Sequence, residues 1–305
     1  MRWVIFIAFL SAFVLTKPTY GIEMNGAYDT TAPTSANIPN WNTGWPASNA
    51  TGWNYVGQDN GSSAVYLGNG WVLTAAHVGA GNFTLNGIIY TPIPNTAQNI
   101  APNASNKTSA DLTIYQIASP PNLPPLTLSS SDPVAFSATQ TGSTVAMLGY
   151  GGSNSLTWGL DTVTEINQSI DLTQSSPSFP FISNDFFCDN GEVDRGPASI
   201  TNNSTVVDGD SGGADFIYNS KTKQWELAGI NEVTGSYSNY SGSYNGNGTF
   251  SGFVQLDTYA AQINGIYVIP ADTPTLPPIG LLILACLLFF VAAPSFRTKR
   301  LATLK

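Results

Sequence analysis

The chain has 305 residues, 42% of them hydrophobic and 10% charged, against a usual charged share of about 25%. Low charge beside abundant Gly, Asn, Ser and Thr argues for a turn-rich β protein and against a coiled coil, a helical bundle or a charged disordered tail. Every acidic residue lies between Glu23 and Asp272, where the basic residues are Lys107, Arg195, Lys221 and Lys223; such a surface repels phosphate backbones and argues against a nucleic-acid partner.

Residues 1–21 read as a signal peptide. Arg2 precedes an apolar stretch over 3–15, and Thr19-Tyr20-Gly21 puts small residues at −3 and −1. The chain is therefore expected to leave the cytoplasm, with signal peptidase as its first partner. Residues 25–54 are rich in Thr, Pro, Asn, Gly and Trp and read as irregular structure. A hairpin follows, with strands over 63–67 and 71–74 around the turn Gly68-Asn69-Gly70. Further strands are expected over 112–117, 144–148, 162–170, 226–233 and 250–256, and a short helix over 258–264. Many spaced strands and one terminal helix suggest a barrel or a sandwich.

The body is expected to span 22–270 and a tail 271–305. The tail holds Pro274, Pro277 and Pro278, then an uncharged apolar run over 279–293, then Arg297, Lys299 and Arg300. The basic end places that side in the cytoplasm and the body outside. The run is shorter than the roughly 20 residues that span a bilayer comfortably. This three-part tail resembles the PEP-CTERM sorting signals removed by exosortase-type membrane enzymes, with Thr-Leu-Pro-Pro over 275–278 in place of Pro-Glu-Pro. A permanent single-span anchor is the alternative, and either one ties the body to a membrane. Cys188 and Cys286 are the two cysteines, too few for a disulfide framework.

The chemistry concentrates in Gly209-Asp210-Ser211-Gly212-Gly213. Small residues around a serine let backbone N–H groups approach a substrate carbonyl. A serine hydroxyl is a weak nucleophile and needs a base, and the chain has one histidine, His77. The pattern Gly209-x-Ser211-x-Gly213 also satisfies the nucleophile elbow of α/β hydrolases, but those place the histidine after the serine. Here it comes before. The order His, Asp, Ser is that of the two-barrel serine proteases.

Several segments then resemble the trypsin/chymotrypsin family in the right order. Residues 70–78, Gly-Trp-Val-Leu-Thr-Ala-Ala-His-Val, look like its histidine motif. Asp111 and the alternating residues up to 117 look like its aspartate strand, and Asp208 to Gly213 its serine motif. Residues 227–230 resemble the strand after the serine, and 253–259 the run into the terminal helix. The resemblance implies an all-β fold of two six-stranded antiparallel barrels with a short C-terminal helix, and a serine endopeptidase acting on polypeptides.

It also implies roles. Ser211 would be the nucleophile, His77 the base, and Asp111 the group that orients the imidazole; Asp59 and Asp132 are other acids available for that last role. The N–H groups of Gly209 and Ser211 would form the oxyanion hole. Asp210 would pair with a new N-terminal ammonium, here that of Ile22, exposed by signal cleavage after Gly21. Thr205 stands six residues before the serine, where trypsin-like members carry an acid for Lys and Arg substrates, so strict tryptic specificity is not expected. Glutamate-specific members need a second histidine, which leaves small or apolar residues as the preference. Glu232-Val233-Thr234 aligns loosely with the family's pocket-edge Ser-Trp-Gly. Asp185, Asp189, Glu192 and Asp194 read as a solvated acidic loop rather than a calcium site. No metal or cofactor is called for. The alternative from another class is a catalytically idle domain serving as a surface-binding or matrix component; an esterase would share the chemistry.

Overall fold

The computed structural model describes residues 21–24, 27–102, 109–137, 139–151, 155–172, 181–189, 204–240 and 246–267. Residues 1–20, the whole tail, Glu192 and Asp194 lie outside that set. Among the described residues, no helix is long and apolar enough to cross a membrane.

Between β1 (Glu23–Met24) and a 3-10 turn at Gly52–Asn54, the described residues form no further strand or helix. Seven strands follow: β2 (Val56–Asp59), β3 (Ser62–Gly68), β4 (Trp71–Ala75), β5 (Phe83–Leu85), β6 (Ile88–Tyr90), β7 (Gln98–Asn99) and β8 (Leu112–Gln116). They pair antiparallel in the order β6-β5-β2-β3-β4-β8-β7. The hairpin read from the sequence is β3–β4. Its turn residues Gly68, Asn69 and Gly70 have φ of 106°, 52° and 82°, a left-handed region that glycine and asparagine enter at least cost.

The second half comprises β9 (Thr144–Gly149), β10 (Thr157–Asp171), β11 (Ile182–Asp189), β12 (Ser204–Thr205), β13 (Ala214–Asn219), β14 (Gln224–Tyr240) and β15 (Gly246–Gln255), then a 3-10 turn and α1 (Ala260–Tyr267). Six of these strands close a barrel in the order β10-β11-β15-β14-β13-β9, while β12 pairs with β1. Closure requires the long strands to bend, and the register breaks where they do. Two such breaks lie on β14, at Glu232 between Asn231 and Val233 and at Ala228 between Leu227 and Gly229, opposite Phe216 and Asp215 of β13. Each inserts an extra residue and deepens the local twist.

The all-β class and the terminal helix match the sequence reading. The first half is a seven-stranded sheet rather than a six-stranded ring. The helix starts at Ala260, because Leu256–Thr258 forms a 3-10 turn instead. It buries Ala260, Ile263 and Tyr267, positions three and four apart and hence on one face. Asp185 is a correction. It sits in β11, fully buried, not in a solvated loop.

One apolar core joins the halves: Val65 and Leu73 of the first share a cluster with Leu148, Phe216 and Ile230 of the second. The irregular segment also contributes to it. Trp41 and Trp45 meet at 4.9 Å between ring centroids, and Trp45 stacks on Trp225 at 5.4 Å. Phe216 closes the group edge-on, 4.9 Å from Trp45. Edge-on and offset pairs of this kind add about 0.5–1.5 kcal/mol each beyond their burial. A stretch that looks like loop is thereby fixed onto the barrel.

Candidate active site

Two strand ends bring the first pair of groups together. In the antiparallel β4–β8 ladder Ala75 lies opposite Leu112, so His77, just past the end of β4, meets Asp111, just before β8. His77 Nδ1 lies 2.7 Å from Asp111 Oδ2, and the His77 backbone N–H donates to Asp111 Oδ1 at 2.9 Å. One carboxylate thus holds both the ring and the main chain of the histidine. Asp111 is fully buried, whereas a third of the His77 side chain meets solvent (33%). Burial by itself would lower the imidazole pKa, but the hydrogen bond and negative charge of Asp111 outweigh it and raise the pKa above the ordinary histidine value. Asp111 has φ of 54°, a left-handed conformation uncommon for a residue with a side chain. Its carbonyl accepts the Ala76 N–H at 2.9 Å, which helps fix it there.

Asp59 and Asp132 are engaged elsewhere. Asp59 Oδ2 accepts the Tyr115 hydroxyl at 2.5 Å, and Asp132 accepts from Asn167 at 3.0 Å.

Ser211 sits in a turn tied to both halves. The Gly212 N–H donates to Asn231 O at 2.8 Å, and the Asn231 N–H donates back to Gly213 O at 3.0 Å. From the first half, Ser63 N–H donates to Ser211 O at 3.0 Å, and Ser63 Oγ donates to Gly209 O at 3.1 Å. Gly212 has φ of 85°, and a Cβ there would lie 2.1 Å from Ser63 O. Only glycine fits. Among the described residues, no hydrogen-bond partner engages the N–H groups of Gly209 or Ser211, while Asp210 and Gly213 use theirs within the turn. Ser211 Oγ donates to the Glu232 backbone carbonyl at 3.3 Å.

His77 and Ser211 line one cleft of about 510 Å³ with Leu172, Phe181, Val206, Val207, Asp208, Glu232, Val233 and Thr234. Thr205 is not in that lining; it pairs with Glu23 across β12 and β1. Ile22 is fully buried in a cluster with Val145, Met147, Phe186 and Phe253. A Cβ on its neighbour Gly21 would lie 3.0 Å from Asp210 Oδ1. Asp210 is itself buried and accepts the Val207 N–H on Oδ2 at 2.9 Å, with the Gly151 backbone also against its carboxyl; among the described residues no hydrogen bond reaches Oδ1. Burial pushes its carboxyl well above the usual range.

Residues 61–230 match a family model described as a trypsin-like peptidase domain. The chain belongs to this family. Among solved structures, the trypsin-like chain is similar to an inactive form of the protease Rv3671c, at 19% identity and a TM-score of 0.46, over 77% of this chain and 98% of that one. A serine-to-alanine mutant of the same M. tuberculosis H37Rv protein, also in an inactive form, gives 16% identity and a TM-score of 0.44, over 81% of this chain and 100% of that one. No curated protein matches the chain.

Two features of the site escaped the sequence reading. Ser63 looks like an ordinary strand residue, and nothing local marks it as a clip for the serine turn. The acids Asp185 and Glu232 meet inside the barrel; their one sequence signal was the polar pair Asn231-Glu232 ending the apolar run over 227–230.

Proposed function

We propose that this trypsin-like chain is an exported serine endopeptidase in which Ser211 attacks the scissile carbonyl and His77 takes its proton. His77 then donates that proton to the leaving amine, while Asp111 holds the imidazole tautomer and stabilises the imidazolium. The observation that carries the reading is the 2.7 Å contact between His77 and buried Asp111, beside a cleft that Ser211 also lines. The serine hydroxyl would leave the Glu232 carbonyl and turn to the imidazole when substrate arrives, since such hydrogen bonds often tighten only in the complex. The unengaged N–H groups of Gly209 and Ser211 would receive the oxyanion, at roughly 3–4 kcal/mol per donor.

Substrate preference follows from the lining. Leu172, Phe181, Val206, Val207 and Val233 favour small or apolar side chains. Signal cleavage after Gly21 would create an ammonium at Ile22 next to Oδ1 of Asp210, so export and activation would be one event. The tail over 271–305 would anchor the enzyme at the cell envelope or mark it for sorting and release.

The experiment is labelling of processed protein with an organophosphonate probe. Wild type should label and Ser211→Ala should not; absence of labelling in wild type would favour the idle, binding-domain reading. N-terminal sequencing of labelled protein should return Ile22, and a start well downstream would remove the activation scheme.

A further inference from the structure

Two acids behind Asp111 have no place in the scheme above. Glu232 is the residue that the β14 bulge inserts between Asn231 and Val233, which pair with Phe253 and Gly252. A bulge re-aims the side chain it carries and often sits beside an active site. Here the Glu232 backbone carbonyl faces the cleft and receives Ser211, while its carboxyl lies in the barrel. There Ser183 Oγ is 2.8 Å from Glu232 Oε1 and also 2.8 Å from Asp185 Oδ2. Both carboxyls are buried, Asp185 completely and Glu232 at 3% exposure. A serine hydroxyl has one hydrogen and cannot donate to two carboxylates at once. Like charges this close in a dry site do not both ionise, so the pair keeps a proton.

We propose that Asp185 and Glu232 share one proton across Ser183, and that this singly charged pair positions the cleft wall at Ser211 and backs Asp111 with a second fixed negative charge. Glu232 and Asp185 are positioning residues, since they reach the chemistry through Asp111 and through the β14 main chain. The titratable groups facing the pair are Asp111, with His77 beyond it, and Tyr259, whose hydroxyl accepts the Asn184 N–H at 3.1 Å. No basic side chain faces it among the described residues. Burial raises both carboxyls, Asp185 to about 7, and the Asp111 charge adds to each, consistent with a retained proton. The inference rests on the peptidase reading for its consequence but not for its test.

The chain has a single histidine, so the imidazole proton resonances in an NMR titration report His77 alone. Glu232→Gln keeps a donor for Asp185, an acceptor for Ser183 and one net charge. It should leave the His77 midpoint within about 0.3 units of wild type. The double variant Asp185→Asn with Glu232→Gln keeps the bridge but removes the charge, and should lower the midpoint by roughly half to one unit. A single variant that shifts about half as far as the double would mean that the pair held no proton, each substitution then removing one charge. A double variant that does not shift would mean that the pair does not act on Asp111.

The positioning half is read from the rate of phosphonate labelling. Glu232→Ala should slow it about tenfold or more, and Glu232→Gln should restore it to within about threefold. Equal loss in both would overturn that half. If Glu232→Ala fails to fold, labelling of Glu232→Gln more than about tenfold slower than wild type would still overturn that half. If wild type never labels, the peptidase reading falls while the His77 titration still tests the pair.

Discussion

The histidine–aspartate pair of the first half and the acids of the barrel handle charge in opposite ways. In the first, Asp111 is buried against a partner that accepts a proton, and the strand ends of β4 and β8 deliver both groups to one place. In the barrel, Asp185, Asp210, Asp215 and Glu232 are buried with no cation beside them among the described residues, and burial raises each of them. A buried carboxylate that faces a base is poised for chemistry; buried carboxyls that face one another store protons. The contrast predicts that the first half governs rate and the second governs how stability and processing depend on pH.

The largest effect expected is on rate. Asp111→Asn preserves shape but leaves the imidazole in the wrong tautomer, a change that costs about 10⁴ in kcat at triads of this type. Activity against a peptide found by library profiling should fall by that order, with little change in melting temperature. A loss below about tenfold would remove Asp111 from the mechanism. The wild-type enzyme should also lose kcat/KM as pH falls through the His77 pKa, which lies above the ordinary histidine value, because only the neutral imidazole accepts the serine proton.

Next in size is Gly212→Ala. The added Cβ would meet Ser63 O at 2.1 Å and Thr74 Oγ1 at 2.2 Å in a left-handed backbone. A backbone oxygen cannot rotate aside, so the serine turn itself must move. The expected cost is about 3 kcal/mol or more, read as a lowered denaturation midpoint together with loss of labelling. Gly87→Ala is the control. It shares the positive φ, at 77°, but meets nothing within 4 Å, and should cost no more than about 1 kcal/mol with labelling intact.

The pH dependence of stability turns on the buried acids. A carboxyl whose folded pKa is raised binds more protons folded than unfolded between the two values, so stability falls as pH rises through that window. For Asp185 the window runs from the ordinary aspartate range to about 7, and for Asp257 to about 6. His77 adds in the same direction, because its raised pKa stabilises the fold at low pH and that contribution fades as pH rises through it. Protein lacking the Ile22 ammonium should therefore lose on the order of 2–4 kcal/mol between about pH 4 and pH 7. Thermal melts that rise across that interval would contradict the proton-storing account of the barrel. Mature protein should show a shallower fall, since an ammonium beside Asp210 favours its charged form.

How much of this was legible in the sequence follows from the range of each signal. The β3–β4 hairpin, the β8 strand and the terminal helix were readable because turn residues and apolar alternation are local. His77, Asp111 and Ser211 stood out as candidates because short motifs surround them. Strands β5, β6 and β7 were missed, being only two or three residues long and too short to show a period. Strands β11 and β13 carry Asp185 and Asp215 inward, which breaks the apolar pattern that would have announced them. The register break that aims Glu232 into the barrel depends on ring closure, and no window of sequence contains that.

The smallest expected effect tests the seam between the halves. Ser63 belongs to the first sheet, yet its Oγ donates to Gly209 O at 3.1 Å and accepts the Tyr150 N–H at 2.9 Å. It thus links the serine turn to the start of the barrel. Ser63→Ala removes both contacts but leaves the Ser63 N–H on Ser211 O. Two neutral hydrogen bonds are worth about 1–3 kcal/mol together, so the fold should survive with a modestly lower melting temperature. The Gly209 carbonyl would then be free to turn, carrying with it the peptide whose N–H belongs to Asp210 rather than that of Gly209. Labelling should slow by no more than about threefold, since neither oxyanion donor lies on that peptide, while the His77 titration stays in place. A shifted His77 midpoint would show that the two halves are coupled through more than this one side chain.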